Sequence, residues 1–337
     1  MVHKISIQNF RCFENSDFED FKQINLITGK NNVGKTALLE AINLGLTPLK
    51  INHIQHLRMD NTEFYKPRTA LSNNLTSVYN SLYFNTTILN LSISVNENKL
   101  EIVKDKLIQN EYNPRLLTAH VNNKLYYSID SKLDVNILDK SIEFKENNYL
   151  SFTKHLTVRC TDCLDLFSKL IEKRRKSEII KLLQVIDPFI EDIELTSIPK
   201  LGFQLARKNE NFLPLGMFGD AVQRMLNLAL VILDFDKEGV LLIDEIENGI
   251  HYLNQEAFWE AIFKIAQNTK IQIFATTHSL DMICAFKNIA IKEEFIAMAG
   301  YMQMGKRITD GKILGTMMAI DVLEFAAENG FKHTRGE

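Results

Sequence analysis

The chain has 337 residues, of which 45% are hydrophobic and 24% charged, with 14 glycines and 6 prolines. This composition is typical of a folded globular protein with about two domains, at roughly 150 residues each, and it excludes a disordered or fibrous chain. The net charge of −3 offers phosphates no overall attraction, which excludes a polybasic, histone-like protein.

The N-terminal residues have no pattern of an export signal. Polar or charged residues interrupt them every few positions, whereas a secretory signal needs an unbroken apolar stretch. The most apolar run, residues 228–233, is far shorter than the about 20 residues that cross a membrane. We therefore expect a cytoplasmic protein without membrane contact.

Hydrophobic periodicity divides the chain into three parts. Strand and helix patterns at 4–10, 24–27 and 37–42 open the chain, and the polar stretch 48–79 is typical of a loop. Short β-rich runs then predict an antiparallel meander at 88–95, 100–103, 125–129 and 142–144. Helices are predicted at 163–173, 177–186, 221–233 and 254–268, and apolar strands at 240–243 and 271–275. We expect a discontinuous core of 1–47 and 190–300, an inserted loop, β meander and helical subdomain of 48–189, and a C-terminal segment of 301–337.

A phosphate-binding loop is predicted between the second strand and the first helix. The eight positions are Gly29, Lys30, Asn31, Asn32, Val33, Gly34, Lys35 and Thr36. Glycines at both ends let successive backbone N–H groups turn inward toward phosphate oxygens, and the helix N-terminus adds partial positive charge. Lys35 would then contact the β- and γ-phosphates of ATP, and the Thr36 hydroxyl would bind Mg²⁺.

Two further motifs follow buried strands. The apolar strand 240–243 ends in Asp244 and Glu245, a Walker B pattern in which Asp244 would hold Mg²⁺ and Glu245 would activate the attacking water. Strand 271–275 is followed by Thr276-Thr277-His278-Ser279, which places His278 in the crevice where parallel sheets bind ligands. His278 is predicted to contact the γ-phosphate.

These motifs together resemble those of a known group of ATPases. The N-terminal ISIQNFRCF, the loop GKNNVGKT, the stretch LLIDEIENGIH and the TTHS segment look like the ABC-type ATPase heads of SMC, RecF and OLD (overcoming lysogenisation defect) proteins. The stand-alone OLD-like AAA ATPases of prokaryotes are the most similar group. The resemblance implies an α/β P-loop NTPase of ABC-ATPase head type, with a mixed central sheet, an antiparallel β subdomain and a helical insertion. It also implies a homodimer or higher homo-oligomer that closes around ATP.

The resemblance further implies a signature segment that completes the partner subunit's ATP site. The candidate is residues 215–224, in which Gly219, Asp220 and Ala221 would face the partner's nucleotide. The segment lacks the serine of the familiar Leu-Ser-Gly-Gly form, so backbone N–H groups, with or without Arg224, would take over the contact to the γ-phosphate. Residues 247–251 fall at the position of the D-loop, the turn that lines the dimer interface.

Several functions stay open at this stage. The first is a slow Mg²⁺-dependent ATPase, and the second is a regulatory or sensor subunit for a separately encoded effector, as in prokaryotic anti-phage defence. A RecF-like DNA-repair ATPase is the alternative. The resemblance to OLD proteins does not extend to a Toprim nuclease domain, because about 40 residues with scattered carboxylates remain after Gly300.

Two weaker patterns have ordinary explanations beside functional ones. The basic run 173–176 could contact DNA or RNA, but four charges between two helices are more often a solvated turn. Cys160 and Cys163, with His155 upstream, have zinc-like spacing but no second pair nearby. We expect ordinary thiols there and no resident metal other than Mg²⁺.

Overall fold

A computed structural model describes residues 1–46, 90–104, 115–130, 135–137, 150–153, 160–196, 202–234 and 238–323. Its strands are β1 Lys4–Phe10, β2 Phe13–Glu19, β3 Ile24–Gly29, β4 Asn90–Val95, β5 Asn98–Lys104, β6 Arg115–Val121, β7 Lys124–Asp130, β8 Val135–Ile137, β9 Leu150–Thr153, β10 Ile190–Leu195, β11 Phe203–Arg207, β12 Leu213–Pro214, β13 Glu238–Ile243, β14 Lys270–Thr276, β15 Ala299–Lys306 and β16 Ile313–Met318. Its α-helices are α1 Lys35–Leu46, α2 Cys160–Glu172, α3 Lys176–Leu183, α4 Asp220–Asp234, α5 Gln255–Gln267 and α6 Leu280–Ala290.

A six-stranded sheet carries the ends of the predicted motifs. Its order is β16-β15-β3-β14-β13-β9. The strands from β15 to β9 run parallel, and β16 runs antiparallel to β15. The predicted mixed sheet is therefore confirmed, and the carboxyl ends of β3, β13 and β14 lie side by side.

The central strands are apolar because both of their faces are buried. Leu241 and Ile243 pack into the core beneath the helices α2 to α6, whereas Leu242 packs into a second core with β1, β2 and α1. Phe274 of β14 likewise faces the second core, while its neighbours Ile273 and Ala275 face the first. A strand buried on both faces has no solvated side, which explains its continuous hydrophobic run.

An antiparallel sheet lies against the first helix. Its order is β2-β1-β4-β5-β6-β7-β8. The predicted runs of the meander are confirmed at β4, β5 and β7, whereas β6 between them was not predicted, and the meander extends the N-terminal hairpin. Close packing of α1 on β4 requires a glycine, since a Cβ at Gly45 would lie 2.3 Å from Val95 Cγ2. The predicted strand at 142–144 and the predicted loop at 48–79 lie outside the described residues.

The helix predicted at 37–42 is α1, which packs in the second core, and the other predicted helices form on the opposite side of the central sheet. The helix predicted at 221–233 is α4, and those predicted at 163–173, 177–186 and 254–268 are α2, α3 and α5 within a few residues at each end. Helix α6 and strands β15 and β16 were not predicted. Since β15 pairs with β3, the central sheet includes residues beyond 300, and the proposed domain boundaries stay a prediction. No helix in the described ranges is long and apolar enough to cross a membrane.

Candidate nucleotide-binding site

The predicted phosphate-binding loop connects β3 to α1 and depends on its two glycines. Gly29 has φ +145° and Gly34 has φ +89°, and residues with a Cβ rarely adopt these backbone conformations. A Cβ at Gly29 would lie 2.4 Å from the backbone oxygen of Met304 on β15, and one at Gly34 would lie 2.7 Å from Cys12 Sγ. The loop backbone is thus held against neighbouring elements at both ends.

The loop between the glycines is open to solvent. Lys30, Asn31 and Asn32 are exposed, while Val33 is buried against the second core. Asn32 has φ +65°, a left-handed conformation that asparagine tolerates better than most residues. Burial also raises the pKa of the Cys12 thiol, beside Gly34, to about 11, so this thiol stays protonated at neutral pH.

Lys35 places a partly buried ammonium group inside the curve of the loop. Its Nζ donates hydrogen bonds to the carbonyl oxygens of Gly29 at 2.7 Å and Lys30 at 3.0 Å. Burial lowers the pKa of Lys35, and the nearby charges of Asp244, Glu247 and Glu245 oppose that shift. The site therefore combines the Lys35 ammonium group with three nearby carboxylates.

Thr36 and Asp244 join the loop to the Walker B strand. Thr36 Oγ1 donates to Asp244 Oδ2 at 2.8 Å, across 208 positions of sequence. Thr276 Oγ1, at the end of β14, donates to the other oxygen of Asp244 at 2.5 Å. Asp244 is 2% exposed, so the first turn of α1 and the end of β14 each hold one oxygen of this buried carboxylate.

The oxygen donors at this point suit a magnesium ion. A hydroxyl from Thr36 and a carboxylate from Asp244 are hard ligands, and Mg²⁺ in phosphate sites uses one or two protein groups together with substrate phosphates and waters. The Lys35 ammonium beside them provides the charge that a triphosphate would need. The residues present thus fit Mg-ATP.

Glu245 has an unusual backbone conformation. Its φ of +53° is uncommon for a residue with a long side chain, and such strain is typical of functional sites. Its N–H donates to Thr276 Oγ1 at 2.9 Å, and its Oε2 accepts a hydrogen bond from Asn248 Nδ2 at 2.8 Å. These contacts stabilise the turn that presents the carboxylate beside Asp244.

His278 lies at the same edge of the sheet and pairs with a carboxylate that the sequence did not single out. Its Nδ1 is 2.9 Å from Glu247 Oε1, and its backbone N–H donates to the same oxygen at 3.1 Å. The His278 side chain is 52% exposed and that of Glu247 is 10% exposed. The histidine is therefore anchored on one side and open to solvent on the other.

The predicted signature residues lie next to the predicted D-loop. Gly219 and Asp220 are exposed at the start of α4. Arg224 packs over Gly249, whose missing Cβ would lie 2.7 Å from Arg224 Cδ. Burial lowers the pKa of Arg224, opposed by the charges of Glu247, Asp220 and Glu245. The signature helix thus touches the segment that follows Glu245 in its own chain.

Sequence reasoning missed Thr276, Glu247 and Asn248. Thr276 lies in the TTHS segment, and its signal is that a hydroxyl at the last position of a buried strand needs a partner. Glu247 and Asn248 lie in the predicted D-loop, and their signal is a second glutamate two residues after Glu245. The pairing of Glu247 with His278 needs the register of β13 and β14, which the sequence alone does not provide.

The weaker patterns show no built site in the described residues. In the basic run, Arg175 pairs with Glu178 at 2.7 Å and Lys176 with Asp192 at 2.6 Å. The Cys163 thiol is buried and lies 3.3 Å from Asn227 Oδ1, and His155 falls outside the described ranges. Within those ranges there is no group of three or more metal-ligating side chains of the His, Cys, Asp and Glu type.

This fold with this site defines an ABC-type P-loop ATPase. Residues 108–283, just over half of the chain, match the family described as "AAA domain, putative AbiEii toxin, Type IV TA system", and the chain belongs to that family. The prediction of an ABC-type AAA ATPase is confirmed, while the OLD-like assignment stays a prediction.

Individual relatives agree with this class. An ATP/GTP phosphatase of Helicobacter pylori is 24% identical over 336 residues, which cover 88% of this chain and 90% of the relative. A DNA double-strand break repair Rad50 ATPase of Methanopyrus kandleri is 35% identical over 57 residues, 17% of this chain and 6% of the relative.

Solved structures confirm the fold class. An SMC head bound to the C-winged helix domain of ScpA has a TM-score of 0.57 at 11% identity, covering 96% of this chain and 99% of that one. An Smc head with an extended coiled coil, bound to the C-terminal domain of ScpA from Pyrococcus furiosus, has a TM-score of 0.56 at 10% identity, covering 98% and 99%. At such low identity these likenesses establish the head-type fold alone.

Proposed function

We propose that this chain binds and hydrolyses Mg-ATP at the edge formed by β3, β13 and β14. The observation that carries this proposal is the 2.8 Å contact between Thr36 and the buried Asp244, beside the Lys35 ammonium. A P-loop lysine, a magnesium-type oxygen pair and a second carboxylate in one place are the parts that phosphoryl transfer to water requires.

Each residue has a defined task in this reaction. The loop N–H groups and Lys35 hold the phosphates, and Thr36 and Asp244 would hold Mg²⁺, which when bound neutralises phosphate charge. Glu245 orients the attacking water and accepts its proton, and its strained turn directs the carboxylate to that position. His278 donates a hydrogen bond to the γ-phosphate.

The second part of the proposal is a nucleotide-dependent homodimer. Gly219 and Asp220 are exposed at the N-terminus of α4, where unpaired N–H groups and the helix dipole favour an anion. A Cβ at Gly219 would meet nothing within 4 Å, and the Cβ of Asp220 lies 3.6 Å from the Cβ position of Gly249 in the D-loop. This leaves Ala221 and its neighbours available to a partner's γ-phosphate. ATP bridges the two protomers, and ADP does so much less.

The third part is a regulatory role. The family description names a toxin of a toxin–antitoxin system, and one structural neighbour is an SMC head bound to ScpA, a case in which a separate protein docks on such a head. We infer that the ATP cycle of this chain controls a separately encoded effector in prokaryotic anti-phage defence. A RecF-like function gains no support from the basic run, because two of its side chains already pair with carboxylates.

The replacement Glu245→Gln tests this function. The amide keeps the shape of the side chain but cannot accept a proton, so we expect the rate of ATP hydrolysis to fall about 10²–10⁴-fold while ATP binding persists. Steady-state phosphate release and equilibrium nucleotide binding measure the two quantities. EDTA should abolish hydrolysis by the wild type.

The matched control is Glu293→Gln, at an exposed glutamate remote in sequence from every motif. It should hydrolyse ATP like the wild type. Turnover of Glu245→Gln equal to that of the wild type would contradict the assignment of Glu245 as the group that activates water.

A further inference from the structure

Glu247 lies at the centre of the site, although none of the proposed steps uses it. It follows Glu245 by two positions in the turn after β13, and its side chain is 10% exposed. Both contacts to its Oε1 come from His278: the ring nitrogen Nδ1 at 2.9 Å and the backbone N–H at 3.1 Å. Glu247 therefore binds both the ring and the main chain of His278.

The other oxygen of Glu247 is buried without a hydrogen bond to offset the loss of solvation. Oε2 has no hydrogen-bond partner among the residues that the structure describes. A buried carboxylate oxygen without a donor is costly, and nearly all such groups in folded proteins are satisfied. A carboxylate kept for stability alone would have donors on both oxygens, so this geometry favours a role in the site.

Two cations lie near this carboxylate. The Arg224 guanidinium on α4 and the Lys35 ammonium of the phosphate-binding loop both interact with the charge of Glu247. An ionised carboxylate accepts hydrogen bonds and donates none. The contact with His278 therefore requires the proton on Nδ1, which fixes one tautomer of the ring.

The ring geometry then determines where the second nitrogen lies. Nδ1 and Nε2 are on different sides of an imidazole, so anchoring Nδ1 on Glu247 turns Nε2 away from Glu247 and toward the exposed side of the ring. A carboxylate behind a histidine also stabilises the imidazolium, whose Nε2–H can donate to a phosphate oxygen.

We propose that Glu247 is a positioning residue that holds His278 with its proton on Nδ1 and its Nε2 directed at the reacting phosphate. This inference rests on the proposed function, because it assigns the residue through which His278 acts in ATP hydrolysis. Glu247 itself touches neither ATP nor the attacking water.

The first test compares Glu247→Ala, His278→Ala and the double variant in steady-state hydrolysis. Loss of the orienting carboxylate should lower kcat about tenfold or more, while KM for ATP changes less than about twofold, since the loop and Lys35 still hold the triphosphate. The double variant should be no slower than His278→Ala, because Glu247 acts only through His278 and has no effect once the histidine is absent. Glu247→Gln retains an acceptor oxygen and should recover part of the rate, and Glu293→Ala is the exposed control.

The second test needs no hydrolysis. Nitrogen-15 NMR of the imidazoles, with the His278 signals assigned by their loss in His278→Ala, should show protonated Nδ1 in the wild type and a shift toward the Nε2–H tautomer in Glu247→Ala. Thermal unfolding establishes that each variant is folded, and Glu247→Leu, which also lacks an acceptor oxygen, replaces Glu247→Ala in both tests if the latter is not.

The outcomes separate this inference from the proposed function. One contrary result is that Glu247→Ala lowers kcat by the same factor in the wild type and in His278→Ala, and another is that it leaves the His278 tautomer unchanged. Either result would overturn the role of Glu247 without contradicting the proposal that the chain hydrolyses ATP. A rise in KM with constant kcat would also overturn it. A wild-type protein without Mg-dependent hydrolysis would contradict the proposed function, and the tautomer would still test the geometry.

Discussion

At the scale of single residues, the site depends on a buried hydroxyl that links two carboxylate-bearing positions. Thr276 is fully buried, donates to Asp244 at 2.5 Å and accepts from the N–H of Glu245 at 2.9 Å. One side chain therefore fixes both the magnesium-type ligand and the turn of the water-activating residue.

We expect Thr276→Val to lower both stability and activity. Valine has a similar shape but leaves Asp244 Oδ1 and the Glu245 N–H without their partner, which costs about 1–3 kcal/mol of unfolding free energy. Urea unfolding and kcat measure the two effects. Thr277→Val is the matched control, because Thr277 is equally buried but accepts a hydrogen bond from the N–H of Ser279. An equally large loss of kcat in this control would show that the Thr276 contacts are not specific to catalysis.

Residues that belong to contiguous motifs could be predicted from the sequence, and residues that act across strands could not. The positions of Lys35 and Thr36 follow from the loop after β3, and that of Asp244 from the end of β13, because a parallel sheet brings the carboxyl ends of its strands to one edge. Glu247 and Thr276 acquire their contacts from the register of β13 beside β14. That register depends on packing between residues far apart in the chain, so no local pattern in the sequence predicts it.

At the scale of elements, the phosphate-binding loop is held by a strand that the sequence did not predict. β15 pairs with β3 through Gly29, and Met304 directly opposes it. The sequence after residue 300 is rich in methionine and glycine, which weakens the period-two pattern of a strand. The sequence also does not predict the parallel strand β9, because a strand of four residues is too short to show a clear pattern.

This packing predicts the effect of Gly29→Ala. A Cβ at Gly29 would lie 2.4 Å from a backbone oxygen, at a φ of +145°, and neither the clash nor the strain can be relieved by a side-chain rotation. We expect a loss of about 2 kcal/mol or more in unfolding free energy, together with weaker ATP binding.

Gly305→Ala is the control on the same strand, since a Cβ there meets nothing within 4 Å. Urea unfolding of the two variants side by side provides the measurement. Equal stability of Gly29→Ala and Gly305→Ala would contradict the close approach of β3 and β15.

At the scale of the whole molecule, the proposal requires that ATP and a second copy stabilise each other. If Ala221 and its neighbours complete the partner's site, ATP binds the dimer more tightly than the monomer, and by linkage it promotes dimerisation by the same free energy. Light scattering of Glu245→Gln should show dimers in Mg-ATP and far fewer in Mg-ADP.

A bulky charge at the signature should block this closure. We expect Glu245→Gln/Ala221→Arg to stay monomeric in Mg-ATP while its own loop still binds nucleotide weakly. Ala257→Arg, at an exposed position of α5, is the control and should dimerise normally. An association state indifferent to both nucleotide and the Ala221 change would refute the shared site and would favour a constitutive oligomer or a monomeric P-loop enzyme such as a small-molecule kinase.

The most direct measurement is ATP binding by Lys35→Ala, because the whole account depends on nucleotide in the loop. The change removes the ammonium group that bonds the loop carbonyl of Gly29, and with it charge-assisted hydrogen bonds to the phosphates. Titration calorimetry should show binding by the wild type and by Lys264→Ala, whose lysine is 60% exposed on α5, and no measurable binding by Lys35→Ala. A Lys35→Ala protein with an intact circular-dichroism melt and near-normal ATP affinity would contradict the assignment of a nucleotide-binding loop.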